Sequence, residues 1–307
     1  MSRSGLSEFE AVIAVARHGS FRAASTELGL SPSALSHAVA ALEARLAVRL
    51  FNRTTRSVSL TEAGARIVAR VTPALSDIRD AIEDINSRRD TPSGTLRLNT
   101  STGAAWQIMQ PIVLDYMRRY PQMKVEIATE GRLIDIVAAG FDAGIRLADT
   151  VPQDMISIPI DRQQRFVVVG SPGYFETHPK PERPADLLAH SCIRSRMPSG
   201  AIWDWDFHRH GEEFSVAVDG PLTLDEPNLM QHAARAGVGL AYLTEWNAAA
   251  DIASGRLVPV LTDWSAAFAG LCLYYPGRRL VPAGLRALID LVRAFHAEHG
   301  SLAGRST

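Results

Sequence analysis

The stretch GLSPSALSHAVAALEARL, residues 29–46, decides which fold we predict for the N-terminal part of the chain. Ser31 is a typical N-cap residue, and Pro32 suits the first helical position, where the N–H that proline lacks would have no partner. Apolar residues then recur at helical spacing and predict one buried side: Leu35, Val39, Leu42 and Leu46. The opposite side is small and polar, with Ser33, Ser36 and His37. Such a bare face fits either an ordinary surface helix or a helix that enters a groove.

The chain ahead of this stretch predicts two shorter helices. Ser7 and Glu10 have the spacing of a capping box, and Gly19 follows the last residue of an apolar stripe. Ser20 is expected to cap a second helix, after which Gly29 suits the left-handed conformation. Three helices in this arrangement predict a helix-turn-helix. When such a domain binds DNA, its recognition helix, here the one that begins with Ser31 and Pro32, lies in the major groove.

The residues after these helices predict a wing and a long helix. LFNRTTRSVSLT, residues 50–61, alternates apolar residues with serines, which indicates a short β-hairpin. Thr61 is expected to cap a helix over residues 62–89, in which Pro73 favours a local kink. Its apolar residues form a narrow seam: Val68, Val71, Leu75, Ile78, Ile82 and Ile85. A narrow seam suits one partner helix, so pairing with a second copy is predicted, and packing on the chain's own body is the alternative.

Candidate DNA contacts cluster in a basic segment. Six arginines and two glutamates lie between Arg17 and Arg56, and small polar side chains let a helix sit deep in the major groove. Arginines on the wing suit phosphate or minor-groove contacts. The predicted set is Arg22, Ser31, Pro32, Ser33, Ser36, His37, Arg53, Thr55 and Arg56. A small helical domain with a solvated, serine-rich face is the alternative.

After a linker, DTPSG at residues 90–94, strands alternate with helices and predict a mostly parallel α/β sheet. RLIDIVAAG, residues 132–140, is expected to be a short helix, and residues 284–299 a terminal amphipathic helix. Open sheets of this class bind ligands at the carboxyl ends of their strands.

Hydroxyl and guanidinium groups at predicted strand ends indicate a site for a small anion. Ser101, Thr102 and Gly103 follow one strand, and hydroxyls with free N–H groups suit a carboxylate. The other candidates are Arg146, Arg194, Ser195 and Arg196 at strand ends and Glu226 in a loop. Arginines could form a bidentate clamp. The alternatives are a helix cap for Ser101 and surface ion pairs for the arginines.

Composition excludes several other classes of protein. The chain has 307 residues, 46% hydrophobic and 21% charged, and a net charge of −1; residues 1–89 hold 12 arginines and nine acidic residues, a weak sign of a polyanionic partner. Cys192 and Cys272 lie far apart, and His208 and His210 lack further ligands, so neither a disulfide nor a metal site is expected. No catalytic triad, phosphate loop or carboxylate pair indicates an enzyme, and no cofactor is expected. No run reaches the roughly 20 apolar residues of a membrane span, and a cytoplasmic location is expected.

The residues from FEAVIAVARHGSFRAAS through SPSALSHAVAALE to LFNRTTRSVSLTEAG resemble the winged helix-turn-helix of LysR-type transcriptional regulators. The resemblance continues in the segments FDAGIR, VVVGSPGYF and GVGLAYLTEW and covers nearly the whole chain. It implies an α+β multi-domain fold: a winged helix-turn-helix at 1–61, a dimerisation helix at 62–89, a hinge at 90–94 and an effector-binding domain at 95–303. That domain would resemble a periplasmic binding protein, with subdomain 1 at 95–161 and 268–300 and subdomain 2 at 162–267.

The resemblance also implies a function. We expect a sequence-specific regulator that binds double-stranded DNA and a small, anionic effector between the subdomains, pairs with itself as a dimer or tetramer, and contacts RNA polymerase. Many members have Gln where this chain has Pro32, so Ser33, Ser36 and His37 would carry more of the base recognition. A solute-binding or enzymatic α/β protein with an incidental helical N-terminus is the alternative from another class.

Overall fold

The computed structural model describes residues 3–53, 57–86, 92–265, 267–277 and 281–299. The N-terminal domain consists of helices α1 (Arg3–His18), α2 (Phe21–Glu27) and α3 (Pro32–Leu46) and of strands β1 (Phe51–Arg53) and β2 (Val58–Leu60), which pair antiparallel as the predicted wing. The three helices enclose one core, which includes Val12, Val15, Leu35, Val39, Leu42 and Leu50, all fully buried.

Local hydrogen bonds explain where these helices begin and end. The hydroxyl of Ser20 accepts from the N–H of Ala23 at 3.3 Å, and that of Ser31 accepts from the N–H of Ala34 at 3.1 Å, so both predicted caps are present. The predicted capping box is wrong, because α1 begins at Arg3 and Ser7 lies inside it. Leu46 is 39% exposed rather than buried, because it is the last residue of α3 and the next residue adopts a left-handed conformation.

Helix α4 (Glu62–Asn86) follows, and its first N–H groups are capped by Thr61, whose hydroxyl accepts from Gly64 at 3.0 Å. The residues of its apolar seam differ in burial. Val68 packs on the core of the N-terminal domain, and Leu75 is buried, whereas Ile78 is 42% exposed. The alternative of packing on the chain's own body therefore holds for the first part of the seam. The side chains of Ile82 and Ile85 lie outside the described residues.

The C-terminal region, which follows α4, contains strands and helices in alternation. Its strands are β3 (Gly94–Thr100), β4 (Met123–Thr129), β5 (Ala143–Leu147), β6 (Met155–Pro159), β7 (Gln163–Gly170), β8 (Cys192–Arg196), β9 (Ile202–Trp203), β10 (Trp205–Arg209), β11 (Glu212–Val216), β12 (Leu222–Leu224), β13 (Leu240–Thr244), β14 (Val258–Val260), β15 (Ala267–Ala269) and β16 (Leu271–Pro276). Its helices are α5 (Thr102–Ile108), α6 (Leu114–Arg119), α7 (Pro172–Thr177), α8 (Pro227–Arg235), α9 (Glu245–Ala253) and α10 (Ala283–His299).

Two sheets divide this region into two subdomains. The first has the order β4-β3-β5-β16-β6 and the second the order β12-β8-β13-β7-β14, with β15 also paired to β7. Strands β3, β4 and β5 are parallel, as are β8, β12 and β13, but β16 and β7 run antiparallel to their neighbours. The expectation of mostly parallel sheets is therefore wrong where the chain passes between subdomains, because it crosses without a helix that would return the next strand in the same direction.

The segment 132–140 is a turn and not the predicted helix. The carboxylate of Asp135 accepts from the N–H groups of Val137 and Ala138, both at 3.0 Å, and Gly140, with φ of +77°, ends the turn. The N–H of Ala139 donates to the carbonyl oxygen of Asp135 at 3.0 Å, and because Gly140 ends the turn, no further helical turn follows.

A buried polar cluster joins the two crossings between the subdomains. Asp161 is 3% exposed; its carboxylate accepts from the N–H of Leu271 and, at 3.0 Å, from the amide of Gln164. The same amide donates to Gln107 at 2.6 Å. Burial raises the pKa of Asp161. Because β15 belongs to the second sheet, the second crossing lies at Gly270, just beyond the boundary predicted at residue 268.

Candidate DNA interface and effector cleft

Helix α3 presents its polar side outward. Ser31, Pro32, Ser33 and His37 are exposed and Ser36 is half-buried, while the opposite side is fully buried in the domain core. The hydroxyls of Ser31 and Ser33 lie 3.0 Å apart. Small side chains on an exposed helix face leave the helix free to approach another surface closely.

The wing carries an arginine that is held in place by an aromatic ring. The guanidinium carbon of Arg53 lies 4.3 Å from the ring centroid of Phe21, and its Nη2 lies 3.7 Å from a carboxylate oxygen of Glu43. Arg22, the next residue after Phe21, is exposed at the start of α2. The first turn of α2 and the wing thus each carry an arginine. Thr55 and Arg56 lie outside the described residues.

Glu43 is a structural residue to which the sequence analysis assigned no role. One of its oxygens accepts from the N–H groups of Leu50 at 2.7 Å and Phe51 at 3.3 Å. The carboxylate therefore fixes the start of the wing to α3. Its only signal in the sequence is an acidic residue directly beside the apolar side of the helix.

The N-terminal domain also meets the C-terminal region of its own chain. A cavity of about 340 Å³ is lined by Arg17 and Glu27 on one side and by Arg97 and Asp142 on the other. Burial, followed by the proximity of Arg97, lowers the pKa of Arg17. Arg97 lies in β3 and Asp142 directly precedes β5, so these two strands have their amino-terminal parts at this junction.

The carboxyl ends of the same strands meet subdomain 2, and we call the boundary between the two subdomains there the cleft. Ser101 follows β3 and caps α5, with its hydroxyl accepting from Ala104 at 3.2 Å. The two subdomains approach each other closely here. A Cβ atom added to Gly103 would lie 3.8 Å from the side chain of Pro227, and one added to Gly131 would lie 3.0 Å from the side chain of Pro198. Ser101, Thr102 and Gly103 thus lie opposite the loop that contains Glu226.

Arg146 lies buried at the end of β5, only 7% exposed. Its guanidinium donates to Asn99 Oδ1 at 2.7 Å and to the carbonyl oxygens of Ile145 at 2.8 Å, Glu130 at 3.0 Å and Arg132 at 3.3 Å. These acceptors are all uncharged, and burial lowers the pKa of the guanidinium. The Nε of Arg146 and the Nδ2 of Asn99 are buried without a hydrogen-bond partner within the described part of the chain. No motif or spacing in the sequence indicated a role for Asn99.

The candidates of subdomain 2 each have a partner in their own subdomain. Arg194 lies 3.4 Å from Asp219, Arg196 donates to the carbonyl of Gly200 at 2.9 Å, and Ser195 pairs with Trp203 across β8 and β9. Glu226 caps α8, with its two oxygens accepting from Leu229 at 2.8 Å and Asn228 at 2.7 Å. The alternative of a surface ion pair therefore holds for Arg194, whereas Arg196 bonds to a carbonyl oxygen, and the contact of these residues with an effector stays a prediction.

Metal binding, cysteine chemistry and membrane insertion have little support in the described residues. No group of three or more histidine, cysteine, aspartate or glutamate residues suited to a metal ion occurs among the described residues. Cys192 and Cys272 are buried free thiols, and burial raises the pKa of Cys192 to about 12. In the part of the chain that the structure describes, no helix combines the length and apolarity needed to cross a membrane.

Comparison with known proteins identifies both halves of the chain. Residues 6–65 match the profile described as bacterial regulatory helix-turn-helix protein, lysR family, and residues 89–297 match the LysR substrate binding domain. The chain belongs to the LysR family of transcriptional regulators. The family assignment and the predicted fold class are thereby confirmed, and so is the expectation that the protein is a regulator and not an enzyme.

Relatives of this LysR-family chain match it along its length. It is 44% identical over 291 residues to the HTH-type transcriptional regulator YcaN of Escherichia coli K12, covering 95% of both chains. It is 35% identical over 294 residues to PgrR of the same organism, covering 95% of this chain and 98% of PgrR.

Solved structures share the fold. The full-length virulence activator AphB of Vibrio cholerae has a TM-score of 0.66 at 24% identity, covering 95% of this chain and 99% of AphB. CrgA of Neisseria meningitidis, a LysR-type regulator, has a TM-score of 0.60 at 24% identity, covering 94% of this chain and 98% of CrgA. LysR regulators bind DNA and small-molecule effectors and form oligomers, and this chain has the two domains that these activities use.

Proposed function

We propose that this LysR-family regulator reads DNA with α3 and its wing, pairs through α4, and responds to a small anionic metabolite between the two subdomains. The observation that carries the proposal is the exposed, small and polar side of α3, in a domain whose wing brings Arg53 to within 3.7 Å of Glu43 on the same helix. Sequence-specific domains combine base contacts in the groove with cationic contacts to phosphate, and this surface offers both.

The assignment of roles follows the chemistry of each side chain. The hydroxyls of Ser33 and Ser36 and the imidazole of His37 can donate to or accept from base edges. Arg22 and Arg53, with Arg56 by sequence, contact phosphates and provide affinity without sequence preference. Pro32 has no N–H to donate, so it starts the helix and contributes only apolar contact.

The proposed effector is an anion because of Arg146. Among the described residues, this buried guanidinium donates only to neutral oxygens and forms no ion pair with a carboxylate. Ser101 and Thr102 add hydroxyl groups at the end of the adjacent strand. A carboxylate at this end of the cleft would accept hydrogen bonds from these hydroxyls, close to the positive charge of the guanidinium. The proposed contacts from subdomain 2 are Arg194, Ser195, Arg196 and Glu226.

The proposed response is closure of the cleft about the cluster of Asp161, Gln164 and Gln107. Strands β3 and β5 run from the cleft to the junction with the N-terminal domain, so a movement at one end reaches the other. An effector shifts this equilibrium only if it binds one arrangement more tightly than the other. Assembly as a tetramer, contact with RNA polymerase and a cytoplasmic location are parts of the same proposal that rest on the family alone.

The first experiment is recovery of genomic fragments that the purified chain binds, followed by gel shifts at several salt concentrations. We expect a specific complex whose affinity falls steeply with salt. Absence of any complex at low salt would overturn the DNA-binding role.

The genes next to the bound fragments nominate carboxylate metabolites for the second experiment. We expect a true effector to change DNA affinity in the wild type and to lose most of its effect in Thr102→Val, which removes one hydroxyl and preserves shape. An equal response in both proteins would contradict the proposed position of the effector.

A further inference from the structure

A second groove lies at the end of subdomain 2 that faces away from the cleft. It has a volume of about 630 Å³ and is lined by Ser171, His178, Ser191, Arg235, Val238 and Arg256, among others. Ser191 directly precedes β8, and β8 runs from this groove towards the cleft, where Pro198 follows the strand and approaches Gly131. The groove is thus separated from the effector cleft by the length of a strand.

Two arginines in this groove share one buried carboxylate. Asp251 is fully buried; Arg235 Nε donates to one of its oxygens, and Arg256 Nε donates to the other at 2.7 Å. Burial works to raise the pKa of Asp251, but the hydrogen bonds from Arg256 and Arg235 outweigh it and lower the pKa overall. One ionised carboxylate facing two guanidinium groups leaves one positive charge in excess.

The terminal nitrogens of these two guanidinium groups can donate to another acceptor. Because each arginine uses its Nε to bind Asp251, its terminal nitrogens are oriented but not consumed, and the side chains are 38% and 58% exposed. Among the described residues, Asp251 is the only acceptor that the structure shows for either group. A planar guanidinium fixed in this way suits the oxygens of a carboxylate or phosphate.

His178 adds a third polar group of defined orientation. Its ring stacks on Tyr174, with centroids 4.2 Å apart, and its Nδ1 lies 3.0 Å from the carbonyl oxygen of Tyr174. The hydroxyl of Thr177 lies 2.9 Å from the same Nδ1, so this nitrogen either donates to the carbonyl oxygen or accepts from the hydroxyl. The imidazole therefore adds a donor and an acceptor to the lining of the groove, for the oxygens or the O–H of an anion.

We propose that this groove is a second small-molecule site, and that it binds the oxyanion head group of a metabolite between Arg235 and Arg256. Its volume is within the range of small-molecule sites. Val238, 36% exposed, offers apolar contact to the rest of the ligand. The regulator would then sense one compound in the cleft and another at the far end of subdomain 2.

The test measures binding of inorganic phosphate, phenyl phosphate and acetate to the full chain by calorimetry at constant ionic strength. Arg256→Gln removes one guanidinium, and Val238→Glu adds a negative charge without touching Asp251. Arg118→Gln is the matched control, since Arg118 is an exposed arginine of subdomain 1 paired with Asp115. We expect at least one anion to bind the wild type and the control equally and both groove variants about tenfold more weakly, the loss of roughly one charge-assisted hydrogen bond.

The outcomes separate the possible ligands. Tighter binding of phenyl phosphate than of phosphate identifies an organic phosphate, equal binding identifies the free ion, and preference for acetate identifies a carboxylate. Equal affinities in the wild type and both groove variants, or no binding of any of the three anions, would overturn the proposal. So would binding that is lost in Thr102→Val and kept in Arg256→Gln, because the anion would then occupy the cleft.

Discussion

The guanidinium of Arg53 lies over the ring of Phe21, with 4.3 Å between the guanidinium carbon and the ring centroid. Phe21 in turn meets Phe51 edge to face, with centroids 5.9 Å apart. The wing, the first turn of α2 and the beginning of β1 are therefore held together by one small aromatic cluster. This cluster restricts the position of the Arg53 guanidinium, a positive charge of the wing.

Arg53→Ala should weaken binding to all DNA sequences alike and reduce the slope of log affinity against log salt by about 1, because it removes one phosphate contact. Phe21→Leu should keep the charge but lose the cation–π contact, worth about 0.5–1 kcal/mol, and so weaken binding only a few-fold. Fluorescence anisotropy at several salt concentrations measures both. Arg118→Ala is the control, and an unchanged slope in Arg53→Ala would show that this arginine does not contact phosphate.

Ser33→Ala and His37→Ala should change which DNA sequences are preferred. Both side chains are exposed on α3, and a lost base contact costs about 1–3 kcal/mol at the position that it reads. Selection of bound sequences from a random pool should show relaxed preference at one or two base pairs for each variant. Ser254→Ala, in subdomain 2, should leave the preferred sequence unchanged. If both α3 variants select the wild-type sequence, recognition depends on other residues or on DNA shape.

Substitutions along α4 should separate dimer formation from packing within the chain. Ile78 is 42% exposed, so Ile78→Asp should leave the chain folded and shift it towards monomers in light scattering. Leu75 is buried against the chain's own body, so Leu75→Asp should lower stability instead, because a buried charge without a partner is costly. Ala69→Asp is the control, since nine residues place Ala69 on the opposite side of the helix from Ile78. Dimers that persist in Ile78→Asp would move the interface away from this seam.

Arg146→Lys should lower the free energy of unfolding by about 2–4 kcal/mol. An ammonium group lacks the planar fork that reaches Asn99 and the carbonyl oxygens of Glu130 and Arg132 together, and it leaves buried acceptors unpaired. Arg119→Lys is the control, because Arg119 is 58% exposed and pairs with Asp115 at the surface. Urea denaturation followed by tryptophan fluorescence measures both, and equal midpoints would show that Arg146 does not organise the end of the cleft.

Asp251 should make stability depend on pH in acid. Its pKa is lowered in the folded chain, so its contribution is complete above the unfolded value of about 3.9 and is lost as the pH falls through the folded value. The difference in unfolding free energy between wild type and Asp251→Asn should therefore be constant above about pH 5 and shrink below it. Urea midpoints from pH 3.5 to 8 test this. A difference that grows towards low pH would mean that the carboxylate is not ionised in the fold.

The sequence by itself determined the N-terminal domain, because its signals are local. The caps at Ser20 and Ser31 bond to N–H groups three residues away, and the buried side of α3 follows from helical spacing alone. The predicted cap at Ser7 failed for the same reason: a local pattern cannot exclude an earlier start when the preceding residues also accept a helical conformation. The wing was predictable from alternation, but the role of Glu43 was not, since it bonds to residues seven and eight positions later.

Only the tertiary structure decided which side chains meet in the cleft and on α4. The predicted strand-end position of Arg146 is correct, yet its bonds reach residues 14, 16 and 47 positions away, and no sequence period encodes contacts at such separations. The apolar seam of α4 looked uniform in sequence, but the folded chain buries Leu75 and leaves Ile78 exposed. Apolar spacing determines that a helix has a side to bury, whereas the arrangement of the whole chain determines what covers that side.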